Sequence, residues 1–254
     1  MFRVVLLSPD FESSGLTLVG VGPGDPSLLT LGAVSAIQSA TVVAYPVSKA
    51  GEAGMAATIA KKWISSEKRR LPLLFPMLTD GLVLKNAWIN AADQLAKAVY
   101  EGEKVVFLSQ GDVSLYATSS YVLFEMKDRH PDCPVRLLPG VNSISAAAAV
   151  GQWPLALQHG QLLVLPTPND PLELETILLE ESRQNRMIAL VKLGNRWSWV
   201  KQLLRKHGFL DKSLFAQRVG LLDQKVQLAS EISDSDKPYF SLLLIPKIYK
   251  NTFT

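Results

Sequence analysis

Gly20-Val21-Gly22-Pro23-Gly24-Asp25 decides how this chain is read, because it joins a short apolar run, Leu16–Val21, to a segment of helical period. A glycine-rich turn between a strand and a helix lets backbone approach a ligand closely. Two familiar ligand loops are excluded by its residues. A dinucleotide fingerprint needs a small residue where Asp25 stands, and Pro23 removes an amide from the turn. The next strand, Thr41-Val42-Val43-Ala44-Tyr45-Pro46, also lacks the acid that would take a ribose hydroxyl. No Gly-Lys-Ser/Thr ending follows, so the turn is not a phosphate-binding P-loop.

Outward from this turn, Leu28, Leu31 and Val34, flanked by Leu29, Ala33 and Ile37, predict a helix with Asp25 as N-cap and Pro26 at its first position. Leu84, Trp88, Ala91, Leu95 and Val99 predict a second, amphipathic helix ended by Gly102. A strand at Lys104–Leu108, a helix running to about Met126, a strand at Val135–Leu138 and a small-residue helix at Ser145–Val150 complete the first half. The second half repeats the rhythm, with strands at Gln161–Leu165, Met187–Val191, Ser213–Val219 and Phe240–Ile245. Helices are expected between them at Leu174–Glu181 and Trp197–Lys206. Such alternation predicts α/β architecture. The expected division is an extension over 1–14, an N-terminal α/β domain over 15–138 and a C-terminal α/β domain over 139–254, with Pro139-Gly140 as the junction.

Composition narrows the function classes. Of 254 residues, 48% are hydrophobic and 19% charged, which suits a globular protein with a substantial core. A formal charge of +3 excludes a dedicated nucleic-acid binder and leaves room for an acidic small molecule. The single cysteine, Cys133, excludes an intrachain disulfide and a cysteine-only metal cage. No apolar run approaches the roughly 20 residues that cross a bilayer, and Val4–Leu7 is too short for a signal-peptide core. A cytoplasmic protein with no membrane partner is expected. His130, His159 and His207 show no metal-ligand spacing, so no metal site is expected. Ser109 lacks the flanks of a nucleophile elbow, and Trp88 and Trp197 fall on helix core faces.

With Pro26 and Leu28-Leu29-Thr30-Leu31 added, the first turn closely resembles the opening motif of the tetrapyrrole (corrin/porphyrin) methylase family. Ser109-Gln110-Gly111-Asp112-Val113-Ser114-Leu115-Tyr116 resembles the family's second motif, and Leu138-Pro139-Gly140-Val141-Asn142-Ser143 its third. The three stand in the family's order, and the resemblance covers roughly residues 15–247. Val43-Ala44-Tyr45-Pro46-Val47-Ser48, Phe75-Pro76-Met77, Gly151-Gln152-Trp153-Pro154-Leu155 and Leu190-Val191-Lys192-Leu193-Gly194 are similar to the branch that methylates precorrin-2, metal-free or cobalt-loaded, at carbon 20. Pro46 stands where siroheme-forming members usually carry aspartate, which points away from that branch.

The resemblance implies two α/β domains with the active site in the cleft between them. It also implies S-adenosylmethionine as co-substrate, a carboxylate-rich tetrapyrrole as substrate, and a homodimer. By position, Pro23 would line the donor site, and Gln110, Gly111, Asp112 and Leu115 would hold its methionine and ribose parts. Asn142 and Ser143 match the pair after the Pro-Gly junction, Leu193 matches a residue near the adenine, and a further contact falls in Leu221–Gln224. Two positions depart from the family pattern. Val113 replaces the usual proline, keeping a backbone contact with less rigidity, and Asn142 replaces serine or threonine but still donates and accepts hydrogen bonds. No catalytic side chain is implied. The proton leaving the methylated carbon would pass to a polar group such as Tyr45, Ser48, Tyr116 or Ser145, or to the substrate's own carboxylates. Lys49, Arg69, Arg70, Lys192 and Arg196 are candidates to meet those carboxylates, the alternative being solvated surface charge. Methylation at another ring position or of a diphthamide precursor on the same fold, and a non-catalytic tetrapyrrole-binding module, remain as alternatives.

Overall fold

The computed structural model describes residues 14–77, 80–180, 185–235, 237 and 239–247; of the expected N-terminal extension, only Ser14 lies within the described residues. The chain divides into two compact units, Met1–Asn142 and Ser143–Thr254. Pro139 to Asn142 therefore stay with the first unit, although the sequence places the junction at 139. The reason is local: the Gly140 amide donates to Asp112 Oδ2 at 2.9 Å, which ties this stretch to the first sheet.

In the first unit, β1 (Gly15–Gly20), β2 (Val42–Val47), β3 (Arg69–Leu74), β4 (Lys104–Ser109) and β5 (Val135–Leu138) form one sheet in the order β3-β2-β4-β1-β5. Every pairing in it is parallel. Parallel strands covered on both faces read as continuous apolar runs, and β1 and β4 do so. Leu16, Leu18, Val105 and Phe107 face α3 (Gly81–Tyr100) and α4 (Thr118–Arg129), packing on Ala92, Leu95, Val99, Val122 and Met126. Val19, Val106 and Leu108 face the other way, onto Ala33 and Ile37 of α1 (Leu31–Ser39) and Ala57 and Ile59 of α2 (Met55–Ile59). Burying a Leu, Val or Phe contributes about 1.5–3 kcal/mol each, so these two layers stabilise the scaffold that carries the turns.

The helix expected from Asp25 is broken in two. Asp25 caps only a short 3-10 turn, Pro26–Leu28, taking the Ser27 amide at 2.7 Å. The chain then extends through Leu29 and Thr30, whose hydroxyl accepts the Ala33 amide at 3.1 Å and starts α1. Both side chains satisfy an orphan amide, but the backbone leaves the helical region at Leu29, so the full helix starts at Thr30.

In the second unit, β6 (Gln161–Pro166), β7 (Arg186–Val191), β8 (Leu214–Gln217), β9 (Lys225–Leu228) and β10 (Ser241–Lys247) form a mixed sheet in the order β6-β7-β10-β8-β9. Among the described residues of this unit, only β6 and β7 pair in parallel. One face is covered by α6 (Pro171–Leu179) and α7 (Trp197–Lys206), through Leu174, Leu178, Trp197, Val200 and Leu204. Trp197 is fully buried as expected, and its indole N–H donates to the Ser233 carbonyl at 2.6 Å. The small-residue helix, α5 (Ser143–Gly151), packs against β9 and β10, and its terminal Gly151 sits directly on Leu214. No helix among the described residues is long and apolar enough to cross a membrane.

Candidate functional site

The order of the first sheet creates the site. The connection leaving β1 passes β4 to reach β2, whereas the connection leaving β4 passes β1 to reach β5. The chain thus departs in opposite directions from two adjacent strands, and the crevice outside their C-terminal ends is where open parallel sheets bind ligands. The first turn leaves β1 at that point and the second leaves β4.

The backbone joins these turns directly. Val21 N–H donates to the Ser109 carbonyl at 2.9 Å, Gly111 N–H to the Gly22 carbonyl at 2.8 Å, and Gly22 N–H back to the Gly111 carbonyl at 3.2 Å. Gln110 adds a side-chain clamp, its Nε2 donating to the Pro23 carbonyl at 3.0 Å. The third turn closes against both. A Cβ on Gly140 would lie 2.3 Å from Gly111 O and 2.7 Å from Gly20 C, and one on Gly20 would lie 2.6 Å from Gly140 N. Only glycine permits backbones to meet at that distance.

Asp112 fastens the assembly. Its Oδ1 accepts the Ser114 amide at 2.9 Å and the Ser114 hydroxyl, while Oδ2 accepts the Gly140 amide. Partial burial disfavours its charge, but the Ser114 hydroxyl and the Gly140, Ser114 and Val113 amides outweigh that and hold the carboxyl below its ordinary value. Both oxygens of the residue expected to meet the ribose are thus also positioning the second and third turns. Val113, the departure from proline, is buried in the core, and its carbonyl accepts the Ser119 hydroxyl at 2.8 Å and the Ser120 hydroxyl at 3.3 Å.

Pro23, Gln110, Gly111 and Asp112 are brought together in this way. Pro23 and Gly111 are buried, Gln110 and Asp112 half-buried, and Leu115 is exposed at the far end of the second turn. Asn142 is half-buried on the third turn, and Ser143 is the first residue of α5. Leu193 lies in the second unit, on the edge where β7 ends. Its side chain is fully buried in that core, its amide donates to the Ser241 carbonyl at 3.0 Å, and the Gly194 amide donates to Ser241 Oγ at 3.3 Å. In the Leu221–Gln224 stretch, Gln224 Oε1 accepts the Gly220 amide at 3.0 Å. Sequence reasoning missed Ser119 and the contact between Gly20 and Gly140; the signal was glycine recurring at the strand ends and serine at a helix start.

The cationic candidates separate. Arg69 and Arg70 open β3, so they sit at the N-terminal end of the sheet, away from the turns. Arg69 lies 3.8 Å from Glu103 and 3.9 Å from Glu101, which accounts for it as an exposed ion pair. Lys49 is exposed just after β2, on the same edge as the turns. Lys192 has left-handed backbone, φ 58°, with its ammonium 5.7 Å from the Tyr239 ring centre. Arg196 bridges two loops, reaching Asn169 Oδ1 at 2.6 and 2.9 Å and the Lys192 carbonyl at 2.9 Å. Among the hydroxyl candidates, Ser48 donates to Glu52 Oε2. His130 pairs with Asp93 at 2.8 Å and His207 with Glu175 at 2.7 Å, both closing helix pairs. No cluster that could hold a metal occurs among the described residues.

The chain belongs to the tetrapyrrole (corrin/porphyrin) methylases, whose family model matches residues 15–232. It is an S-adenosylmethionine-dependent C-methyltransferase. A probable cobalt-precorrin-2 C(20)-methyltransferase of Methanocaldococcus jannaschii is 33% identical over 90% of this chain and 94% of its own. A precorrin-2 C(20)-methyltransferase of Sinorhizobium sp is 29% identical over 90% of this chain and 93% of its own. The solved structure of a cobalt precorrin-4 methyltransferase has a TM-score of 0.67 at 19% identity, covering 94% of this chain and 97% of that one, a likeness of fold. A Cβ built on Gly111 meets nothing within 4 Å, so the joined turns present backbone to open space.

Proposed function

We propose that this enzyme transfers the methyl group of S-adenosylmethionine to carbon 20 of precorrin-2 or its cobalt counterpart, a step of cobalamin synthesis. The observation that carries this reading is the reciprocal Gly22–Gly111 hydrogen-bond pair with Gly140 packed against it, at the switch point of a parallel sheet. The choice of carbon 20 rests on the two relatives so named, which align over nine-tenths of the chain.

The chemistry asks little of side chains. A sulfonium methyl is already electrophilic and a meso carbon of a reduced tetrapyrrole already nucleophilic, so alignment and exclusion of water are the protein's tasks. Holding the partners in line can lower a barrier by ~7–11 kcal/mol in favourable cases. The co-substrate carries the reactive bond and the fold orients it. Pro23, Gln110, Gly111 and Asp112 would hold the donor from the first unit, Leu115, Asn142 and Ser143 would extend that grip, and Leu193 would approach the adenine. We also place the enzyme in the cytoplasm as a homodimer, for which light scattering should give twice the chain mass.

The test is transfer of labelled methyl from S-adenosylmethionine with metal-free and cobalt-loaded precorrin-2 supplied side by side, the product's labelled carbon being located by NMR. Label at carbon 20 is expected. Label at another carbon, or turnover only with a later corrin intermediate, refutes the assignment of position while leaving the methylase activity intact.

A further inference from the structure

We infer that Ser119 is a positioning residue for the methyl donor, acting through the second turn. Its hydroxyl is fully buried, donates to the Val113 carbonyl at 2.8 Å and lies 3.2 Å from the Ser109 hydroxyl oxygen. These three residues form a polar knot on the inner side of the turn. Ser109 is the last residue of β4, and its carbonyl is the acceptor for Val21 at the start of the first turn. Val113 follows Asp112, whose carboxylate holds the third turn through Gly140. The knot therefore stands behind both joints that bring the three turns together, and no part of it faces solvent.

Its location separates this role from ordinary core packing. Ser119 lies in the first turn of α4, whose N-cap position is Ala117 and makes no side-chain cap. A serine at a helix start usually serves the helix by accepting an orphan amide. Ser119 instead donates outward to the preceding loop, so its hydrogen bond fixes the loop. A valine at position 113 leaves the chain rotatable about φ, where a proline ring would lock it. The hydroxyls of Ser119 and, at longer range, Ser120 restore the constraint, and the front of the turn stays free to meet a ligand. This role is independent of which ring carbon is methylated, because it concerns the donor alone.

The test compares Ser119→Ala, Ser119→Cys and Ser119→Thr. Readouts are calorimetric affinity for S-adenosylhomocysteine, KM and kcat for methyl transfer, and thermal midpoint. Losing a buried hydrogen bond that shapes a binding turn should weaken S-adenosylhomocysteine and raise the donor KM about tenfold in the alanine variant. The cysteine variant, matched in volume but a weak donor, should behave like alanine; the threonine variant, which keeps the hydroxyl, should recover affinity. Saturating kcat should change less than about threefold, since the chemistry itself does not use the group. Wild-type affinity in the alanine and cysteine variants would overturn the inference. So would failure of threonine to restore affinity, or unfolding of both the alanine and cysteine variants, because the hydroxyl would then serve the fold and not the site.

Discussion

Replacing Gly140 with alanine places one methyl group where three backbone segments already touch. The new Cβ would lie 2.3 Å from Gly111 O, 2.7 Å from Gly20 C and 2.9 Å from Gly20 Cα. None of these is the end of a flexible side chain. Gly20 is held in β1 opposite Ser109, and Gly111 is held by its paired bonds to Gly22, so the third turn itself must move. Relieving a 2.3 Å contact to ordinary van der Waals distance takes a shift of about 1 Å, and overpacking of a rigid site costs about 3 kcal/mol or more. A displacement of that size at a reacting geometry can lower kcat/KM by roughly 100-fold. The internal control is Gly111→Ala. There φ is +73°, but an added Cβ meets nothing within 4 Å, so only the left-handed strain of roughly 1–2 kcal/mol applies. Urea unfolding gives the stabilities and calorimetry with S-adenosylhomocysteine gives the binding. If Gly140→Ala were no more destabilising than Gly111→Ala and bound S-adenosylhomocysteine as wild type does, the close packing of the three turns would not be what builds the site; Gly111→Ala serves as the control for stability alone, since its added methyl faces the proposed donor.

Four further substitutions test individual contacts. Asp112→Asn puts an amide N–H against either the Ser114 or the Gly140 donor, and should cost about 1–3 kcal/mol at neutral pH. Because the folded Asp112 carboxyl is held below its ordinary value, its stabilisation is present above the unfolded pKa of about 4 and is lost as pH falls through the lower folded value. Acid unfolding of the asparagine variant should therefore be shallower than wild type below about pH 4, and an identical pH slope contradicts the assignment. Lys201→Met should destabilise by about 1–3 kcal/mol by leaving the Ile232 carbonyl without its buried ammonium donor. Asp234→Asn should change urea stability much less than Lys201→Met, since that carboxylate is 73% exposed; equal effects in the two variants would show that the ion pair matters more than the carbonyl. Arg69→Gln should leave the KM for tetrapyrrole unchanged, because Arg69 stands at the end of β3 remote from the turns, and a several-fold rise would return it to the substrate site.

Much of the secondary structure was legible where strands are apolar and helices strongly patterned. β1, β4, β5, β7, α3 and α7 appear within a residue or a few of their expected bounds, because apolar runs and helical spacing leave those segments one way to bury their side chains. Of the four edge strands among the described residues, β5 and β6 were legible and β3 and β9 were not. β3 carries Arg69, Arg70 and Pro72, and β9 alternates Lys225 and Gln227 with Val226 and Leu228. An edge tolerates charge and proline because one side of its ladder is unpaired, so these two sequences do not resemble strands. The split after Leu28 escaped notice for a different reason: Asp25 and Thr30 both cap, and only the backbone path shows which one starts a full helix.

The chemical class came from the sequence through resemblance: the three glycine-bearing turns, in their order, match the motifs of the tetrapyrrole methylases, while the residues by themselves excluded only a dinucleotide fingerprint and a P-loop. The sequence also indicated α/β architecture, because periodicity is a local property of the chain; that the first sheet is parallel is a finding of the structure. How the turns are built could not be read that way. Gly20, Gly111 and Gly140 are far apart in sequence, and only the crossing of β1 and β4 connections puts their backbones in contact. The same holds for Asp112 and Ser119, whose work is done on atoms from other segments: hydrogen bonds are short-range, and the partner a group finds is fixed by the fold that delivers it.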